Sequence, residues 1–148
     1  MGTTLTLAFA SGRSLFVVHA GDSRCYLFRE GQLRQLTEDH TIVGELARQG
    51  ALSPAQAHSH PYRHIVTNVL GGKDIDLRID VQRIDMKPAD VVLLSSDGLS
   101  DMLDDERIAR ILAAEAEPET ACGRLVAEAN EAGGKDNVTA LVARFEEG

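Results

Sequence analysis

The chain has 148 residues, of which 43% are hydrophobic and 26% charged, as is typical of one soluble globular domain with a sizeable core. Its formal net charge of −8 argues against nucleic acid or an anionic membrane as a partner, because both would repel it, and is compatible with a site that collects divalent cations. No apolar run approaches the roughly 20 residues of a membrane-spanning helix. The two cysteines do not suggest a disulfide scaffold. We therefore expect a protein of the reducing cytoplasm.

The first third of the chain predicts β-strands. The segments "TLTLAFASG" and "SLFVVHAGDSR" are rich in β-branched and aromatic residues that partly alternate. "CYLFREGQLRQLTED" predicts a hairpin with its turn at Glu30-Gly31. A helix follows, since apolar residues recur at helical spacing from Ile42 to Ala47 and Gly50 ends the pattern. Ser53-Pro54 then begins a shorter helix with serine as the cap.

The second half mixes strands and helices. "RHIVTNVLGG" is ambiguous between the two, whereas "DLRIDVQRIDMKPAD" predicts a half-buried strand. The side chains expected to face inward from it are Leu77, Ile79, Val81 and Ile84. Val91 to Leu94 predict a strand buried on both faces. Two helices, Asp104 to about Glu115 and Glu119 to about Ala132, precede a last strand in "NVTALVARF". The order of elements predicts an α+β sandwich.

Acidic turns lie at or beside the ends of three apolar strands. Asp22 follows "LFVVHAG", Asp97 follows "VVLLSS" with Asp101 close behind, and Asp136 lies in "GGKDN" just before the last strand. If these strand ends converge on one sheet edge, the carboxylates would repel one another unless they are protonated or neutralised. A divalent cation would neutralise them, and all-oxygen ligands suit Mg²⁺ or Mn²⁺ better than zinc.

Each acidic turn also has a purely structural explanation. Asp22 could belong to a polar turn, Asp97 to a tight Asp-Gly turn and Asp136 to the turn after a helix stop, while Asp101 could be a first-turn acid on a helix dipole. Their joint occurrence favours one shared site over independent coincidences.

Other conspicuous polar residues have simpler interpretations. His58, His60 and His64 surround a Pro-Tyr pair and favour a solvated loop over a metal site. Arg24 is expected to pair with a nearby acid, and Asp104 or Asp105 to cap the helix that follows them.

Three motifs then carry a resemblance to a known family. "AGDSRCYLFREGQLRQLTEDHT", "SSDGLSD" and "GGKDNVTALV" occur in the order and at about the spacing seen in metal-dependent (PPM-type) protein phosphatases of the protein phosphatase 2C family. The stretch "ELARQGALSPAQAHSHPYRHIVTNVLGG" also resembles the corresponding segment of the bacterial members. The similarity covers essentially the whole chain.

The resemblance implies a β-sandwich flanked by helices (a four-layer αββα arrangement) with two or three Mg²⁺ or Mn²⁺ ions in a cleft at one edge. Such enzymes hydrolyse phosphoserine and phosphothreonine in proteins by means of a metal-activated water. By motif, Asp97 and Asp136 would be ligands of the metal pair, and Asn137 would support a water on it. Asp22 and Asp101 would hold a third, weaker ion.

The family pattern, however, begins earlier than this sequence. A phosphate-clamping arginine, an acidic residue and an Asp-Gly turn whose aspartate bridges both ions have no counterpart here. Residues 1–148 are therefore expected to form a single, N-terminally incomplete domain, the C-terminal two-thirds of the family fold, with a flap at about 41–70. Metal binding should be weak and turnover small or absent. Uncovered sandwich faces and edges would favour self-association.

Three hypotheses stay open at this point. The chain could be part of a phosphatase that acts on phosphorylated proteins, either as a truncated product or with a misassigned start. It could instead be a non-catalytic member of the same fold that binds a phosphoprotein or another subunit. Finally, the motif similarity could be accidental, and the chain could be a structural α+β domain whose acids are only caps and turns.

Overall fold

The computed structural model describes residues 1–71 and 76–147. Its elements in chain order are β1 (Leu5–Ser11), β2 (Ser14–Ala20), β3 (Arg24–Arg29), β4 (Gln32–Gln35), α1 (Ile42–Arg48), α2 (Pro54–Ser59), β5 (Asp80–Asp85), β6 (Val91–Ser95), α3 (Asp97–Ser100), α4 (Asp105–Ala114), α5 (Pro118–Glu131) and β7 (Ala140–Arg144). Among the described residues, no helix combines the length and the apolar character needed to cross a membrane.

Two antiparallel sheets make up the centre of the fold. One has the strand order β1-β2-β5 and the other β4-β3-β6-β7. The cluster that joins the two sheets includes Leu15, Val17, Leu27, Ile84 and Val92. Helices α4 and α5 cover the other face of the four-stranded sheet through a second cluster, which includes Leu93, Ile108, Ile111 and Leu125. The predicted α+β sandwich flanked by helices is therefore confirmed, with its helical layer on the four-stranded side.

The predicted hairpin is present between β3 and β4. Glu30 and Gly31 both have left-handed backbone conformations, with φ of 51° and 79°. A two-residue turn of this kind matches the twist of the flanking strands, and glycine accepts the conformation without a Cβ penalty. The strand predicted at Val91–Leu94 is confirmed as β6, which lies in the middle of its sheet.

The helices begin at the residues predicted as caps. Ser53 forms a reciprocal capping box with Gln56, and the carboxylate of Asp104 accepts a hydrogen bond from the Arg107 amide. The stretch "RHIVTNVLGG" is neither strand nor helix over its described part. It forms turns and isolated bridges, and its last residue, Gly72, lies outside the described residues.

The prediction for the strand before Met86 was wrong about its faces. Ile84 points into the core, whereas Leu77, Ile79 and Val81 are exposed, Val81 to 66%. Side chains alternate between faces with a period of two, so Val81 and Ile84 cannot share one face. The alternation identified β5 correctly but did not show which of its faces is buried.

Val81 belongs to an apolar surface on the three-stranded sheet. In the register Val81 lies opposite Val18 and Val18 opposite Leu7, while Phe9 lies opposite Phe16. Phe9 is 59% exposed. We call these five residues, Leu7, Phe9, Phe16, Val18 and Val81, the outer apolar face.

The inner side of β2 also contains a buried histidine. His19 is almost fully buried, with its ring centroid 4.8 Å from that of His40. Its Nε2 donates to the carbonyl oxygen of Glu38 at 2.9 Å, and its Nδ1 lies 2.9 Å from the hydroxyl of Thr6. Burial first, and the neighbouring His40 second, lower the pKa of His19 below its ordinary value of 6.5, although Asp80 opposes this shift.

We expect His19 to make the fold sensitive to mild acid. Below about pH 6.5 the unfolded chain binds a proton at His19 that the folded chain resists, so the stability present at pH 7 falls as the pH is lowered. In urea unfolding between pH 7.5 and 5.5, His19→Gln should flatten this decline. The exposed His58→Gln is the control, and equal slopes in both variants would contradict the prediction.

Candidate metal site at one end of the four-stranded sheet

The pairing register brings the three acidic turns to the same end of one sheet. Arg24 at the start of β3 lies opposite Ser95 at the end of β6, and Ser95 lies opposite Ala140 at the start of β7. Asp22 comes two residues before this row and Asp97 two residues after it, while Asp136 shortly precedes β7. Antiparallel pairing thus brings residues that are far apart along the chain close together.

The turns at Asp97 and Asp136 are packed against each other. A Cβ on Gly98 would collide with the carbonyl oxygen of Asn137, so only glycine permits this approach. The hydroxyl of Ser96 donates to that same oxygen at 3.2 Å and accepts from the Thr139 amide at 3.0 Å. These contacts hold the start of α3 against the segment before β7.

The carboxylates at this end raise one another's pKa. Burial, followed by the charges of Asp97, Asp39 and Asp101, raises the pKa of Asp22 to about 6. Burial, followed by the charges of Asp101 and Asp136, also raises the pKa of Asp97. Burial and the neighbouring acids thus both disfavour the charged carboxylates here, and a divalent cation would favour them.

One set of donor atoms is close enough to share an ion. Donor atoms of His64, Asp97 and Asp101 all lie within 4.8 Å of one another. The sequence predicts a solvated loop at His64 and does not indicate it as part of the site. Asp22 and Asp136 lie outside this group. The charge of Asp136 nevertheless helps to raise the pKa of Asp97, and the charges of Asp97 and Asp101 help to raise the pKa of Asp22.

Comparison with known proteins identifies the family of this chain. The family model described as protein phosphatase 2C matches residues 1–131. The chain belongs to the protein phosphatase 2C family. This contradicts the hypothesis that the motif similarity is accidental. The matched range contains Asp22, Asp97 and Asp101, whereas Asp136 and Asn137 follow it.

Bacterial members of the protein phosphatase 2C family are similar over nearly all of this chain. PstP of Mycobacterium tuberculosis is 43% identical over 143 residues, which are 97% of this chain and 27% of PstP. PhpP of Streptococcus pneumoniae is 38% identical over 148 residues, which are 99% of this chain and 60% of PhpP.

A solved structure supports the same relationship. The catalytic domain of PstP in complex with two manganese ions superposes with a TM-score of 0.88 at 37% identity, covering 99% of this chain and 60% of that one. The chain therefore spans about 60% of the length of PhpP and of this catalytic domain.

Within this protein phosphatase 2C chain, Asn137 contributes its backbone to the packing of the site. Its amide donates to Asp136 Oδ1 at 2.7 Å, and its carbonyl oxygen accepts from Ser96. The residue as a whole is exposed.

Arg24 forms a bidentate ion pair with Asp39, with contacts of 2.9 and 2.6 Å, and also donates to the Tyr26 hydroxyl. Its predicted pairing with an acid is confirmed.

His40 fixes the turn that carries Asp22. Its backbone amide donates to the Gly21 carbonyl oxygen at 2.7 Å, and its Nδ1 accepts from the Gly21 amide at 3.1 Å. Because Nδ1 is an acceptor, Nε2 carries the proton that is donated to Asp80 Oδ2 at 2.8 Å. Thr6 holds the other side of the turn by donating to the Ser23 carbonyl oxygen at 3.0 Å. Sequence reasoning gave no indication of this role.

Removing the His40 ring should destabilise the fold and loosen this turn. His40→Ala leaves the buried Gly21 amide without its acceptor and creates a cavity, so we expect a loss of about 2–4 kcal/mol in the free energy of unfolding. His40→Asn can keep an acceptor near Nδ1 and should lose less. Urea unfolding and hydrogen exchange of the Gly21 amide measure both effects. Unchanged exchange at Gly21 in His40→Ala would contradict the assignment.

Proposed function

We propose that this chain is the metal-binding part of a protein serine/threonine phosphatase that hydrolyses phosphoserine and phosphothreonine in phosphorylated proteins. The observation that carries the proposal is the convergence of four aspartates, within a protein phosphatase 2C chain, on one end of the four-stranded sheet. The similarity to PstP, a serine/threonine protein phosphatase, and to PhpP, a protein phosphatase, supports this substrate class.

The donor chemistry of the site fits Mg²⁺ or Mn²⁺. Asp97 and Asp136 would hold a metal pair, and Asp22 with Asp101 a further, weaker ion. The proposal is supported by the raised pKa of Asp22 and of Asp97, which burial and then the neighbouring acids cause, and by the two manganese ions in the related PstP domain. Divalent cations bound at such a site lower the pKa of water and neutralise charge on phosphoryl oxygens.

The residues around the acids would position the aspartates and the attacking water. The contacts of Ser96 and Gly98 with Asn137 pack the turns of Asp97 and Asp136 against each other, which supports a metal pair held between them. The Asn137 side chain is exposed at the same place and would hydrogen-bond to a water that approaches the phosphorus. Asn137 is therefore the proposed catalytic residue of this chain.

Residues 41–70 would form a flap beside this cleft within a single domain of residues 1–148. The segment contains α1 and α2 and then turns back past the acids. Near its end, Arg63 and His64 approach Asp101, with closest contacts of 3.8 and 3.3 Å. Part of the phosphoprotein would lie between this segment and α3.

A second candidate function is non-catalytic binding of a phosphoprotein or another subunit by the same fold. The outer apolar face favours it, because exposed apolar surface of this kind marks interaction sites. The same face supports self-association. A signalling role in the cytoplasm is part of the proposal, and the free thiols Cys25 and Cys122 are compatible with that reducing compartment.

The metal site can be tested by calorimetric titration of Mn²⁺. We expect weak binding to the 148-residue chain and little or no hydrolysis of a phosphothreonine peptide. Asp97→Asn and Asp136→Asn should each lower Mn²⁺ affinity by about tenfold or more, since each removes a charged ligand. Asp85→Asn, at an exposed acid in β5, should leave the affinity unchanged. Rapid turnover by the chain alone would contradict the expected inactivity, and unchanged affinity in Asp97→Asn would overturn the proposed site.

Self-association can be tested by sedimentation velocity over a concentration series. Leu7→Lys combined with Phe9→Lys should shift the chain towards monomer, because two charges in the outer apolar face would have to be desolvated on association. The added lysines reduce the net negative charge, so greater overall repulsion cannot explain that shift. Tyr62→Lys, at an exposed aromatic of the flap, is the control. A wild-type chain that stays monomeric at every concentration would contradict the prediction.

A further inference from the structure

We infer that His64 is a nitrogen ligand of the weaker ion proposed at Asp101, that Asp97 also contacts this ion, and that the imidazole makes this position selective for Mn²⁺ over Mg²⁺. The inference rests on the proposed metal site, because it shares two of its aspartates. It adds a residue that the motifs do not indicate, and a selectivity that an all-oxygen site would lack.

The distances between the donor atoms allow the three side chains to share one ion. His64 Nδ1 lies 3.3 Å from Asp101 Oδ2, and the donor atoms of His64, Asp97 and Asp101 all lie within 4.8 Å of one another. Ligand atoms about 2.1 Å from one ion can lie up to roughly 4.2 Å apart. Small side-chain rotations are therefore enough for all three to contact a single ion.

The backbone around His64 is held in place by contacts with the start of α1. The Ile42 amide donates to the Ile65 carbonyl oxygen at 3.1 Å, and the Thr67 amide donates to the His40 carbonyl oxygen at 2.8 Å. Thr41 and Val66 also form an isolated bridge. The imidazole, whose side chain is 49% exposed, is thus held beside the acids while one face stays open to solvent and incoming ions.

The charges that face this position still favour a cation. Arg63 Nε lies 3.8 Å from Asp101 Oδ1 and contributes one positive charge. Asp97 and Asp101 oppose it with their negative charges. Asp22 and Asp136 are close enough for their charges to act on these acids. The balance is negative, and the nearby guanidinium is one reason for weak affinity.

The ligand types decide which ion is favoured. Mg²⁺ keeps oxygen ligands and several waters, whereas Mn²⁺, a first-row transition ion that also suits carboxylates, accepts an imidazole nitrogen more readily than Mg²⁺ does. The competing interpretation is that protonated His64 only pairs with Asp101. In that case removing the imidazole would release Asp101 and would not weaken the binding of either ion.

The test is calorimetric titration of the full chain with Mn²⁺ and, separately, with Mg²⁺. His64→Ala should lower Mn²⁺ affinity by about tenfold and leave Mg²⁺ affinity within about twofold, so the ratio of the two affinities falls. His58→Ala, at an exposed histidine of the same segment, should leave the ratio unchanged. Asp97→Asn should weaken binding of both ions.

A spectroscopic measurement tests the bond directly. Pulsed electron paramagnetic resonance of Mn²⁺ on the wild-type chain should show ¹⁴N coupling from a bound imidazole, and His64→Ala should lack it. No ¹⁴N coupling in the wild type, or the same affinity ratio in His64→Ala, would overturn the assignment of His64 while leaving the Asp97 site intact. Metal binding unaffected by Asp97→Asn would overturn the proposed site itself. Nitrogen coupling without phosphopeptide hydrolysis would support His64 as a ligand and count against catalysis by this chain.

Discussion

Mutual repulsion among four carboxylates is the constraint around which this chain is organised. The register that places Arg24, Ser95 and Ala140 in one row across three strands also forces the adjoining acidic turns together. Such an arrangement disfavours charged carboxylates, since burial and then the neighbouring acids raise the pKa of Asp22, and the surrounding packing holds it in place. Groups whose pKa is shifted by burial and by neighbouring charges cluster at functional sites, which is consistent with a binding site at this end of the sheet.

The sandwich and its turns could be predicted because they depend on local chemistry. Glu30-Gly31 forms the expected hairpin, and Ser53 and Asp104 cap helices where their side chains can reach the next free amides. Strand faces were harder to predict, since apolar residues lie on both sides of β5 and only the packing of the second sheet selects Ile84 for the core.

The candidate site was predictable to the extent that it follows the motifs. The aspartates stand at strand ends that the sequence marks clearly, so their convergence could be expected once antiparallel pairing was assumed. His64 and His40 could not be found in this way. His64 reaches the acids because a long segment folds back onto α1, and His40 contacts Gly21 across two elements. Neither relationship leaves a periodic pattern in the sequence.

The position of His40 also couples two parts of the molecule mechanically. This one residue bonds to Gly21 beside Asp22, to Asp80 in β5 and, through its carbonyl oxygen, to Thr67 at the base of the flap. Movement of residues 41–70, the proposed flap, would strain the loop that bears Asp22 through these bonds. If Asp22 binds the proposed ion, ion binding at that loop and movement of the flap would be thermodynamically linked, and each would restrict the other.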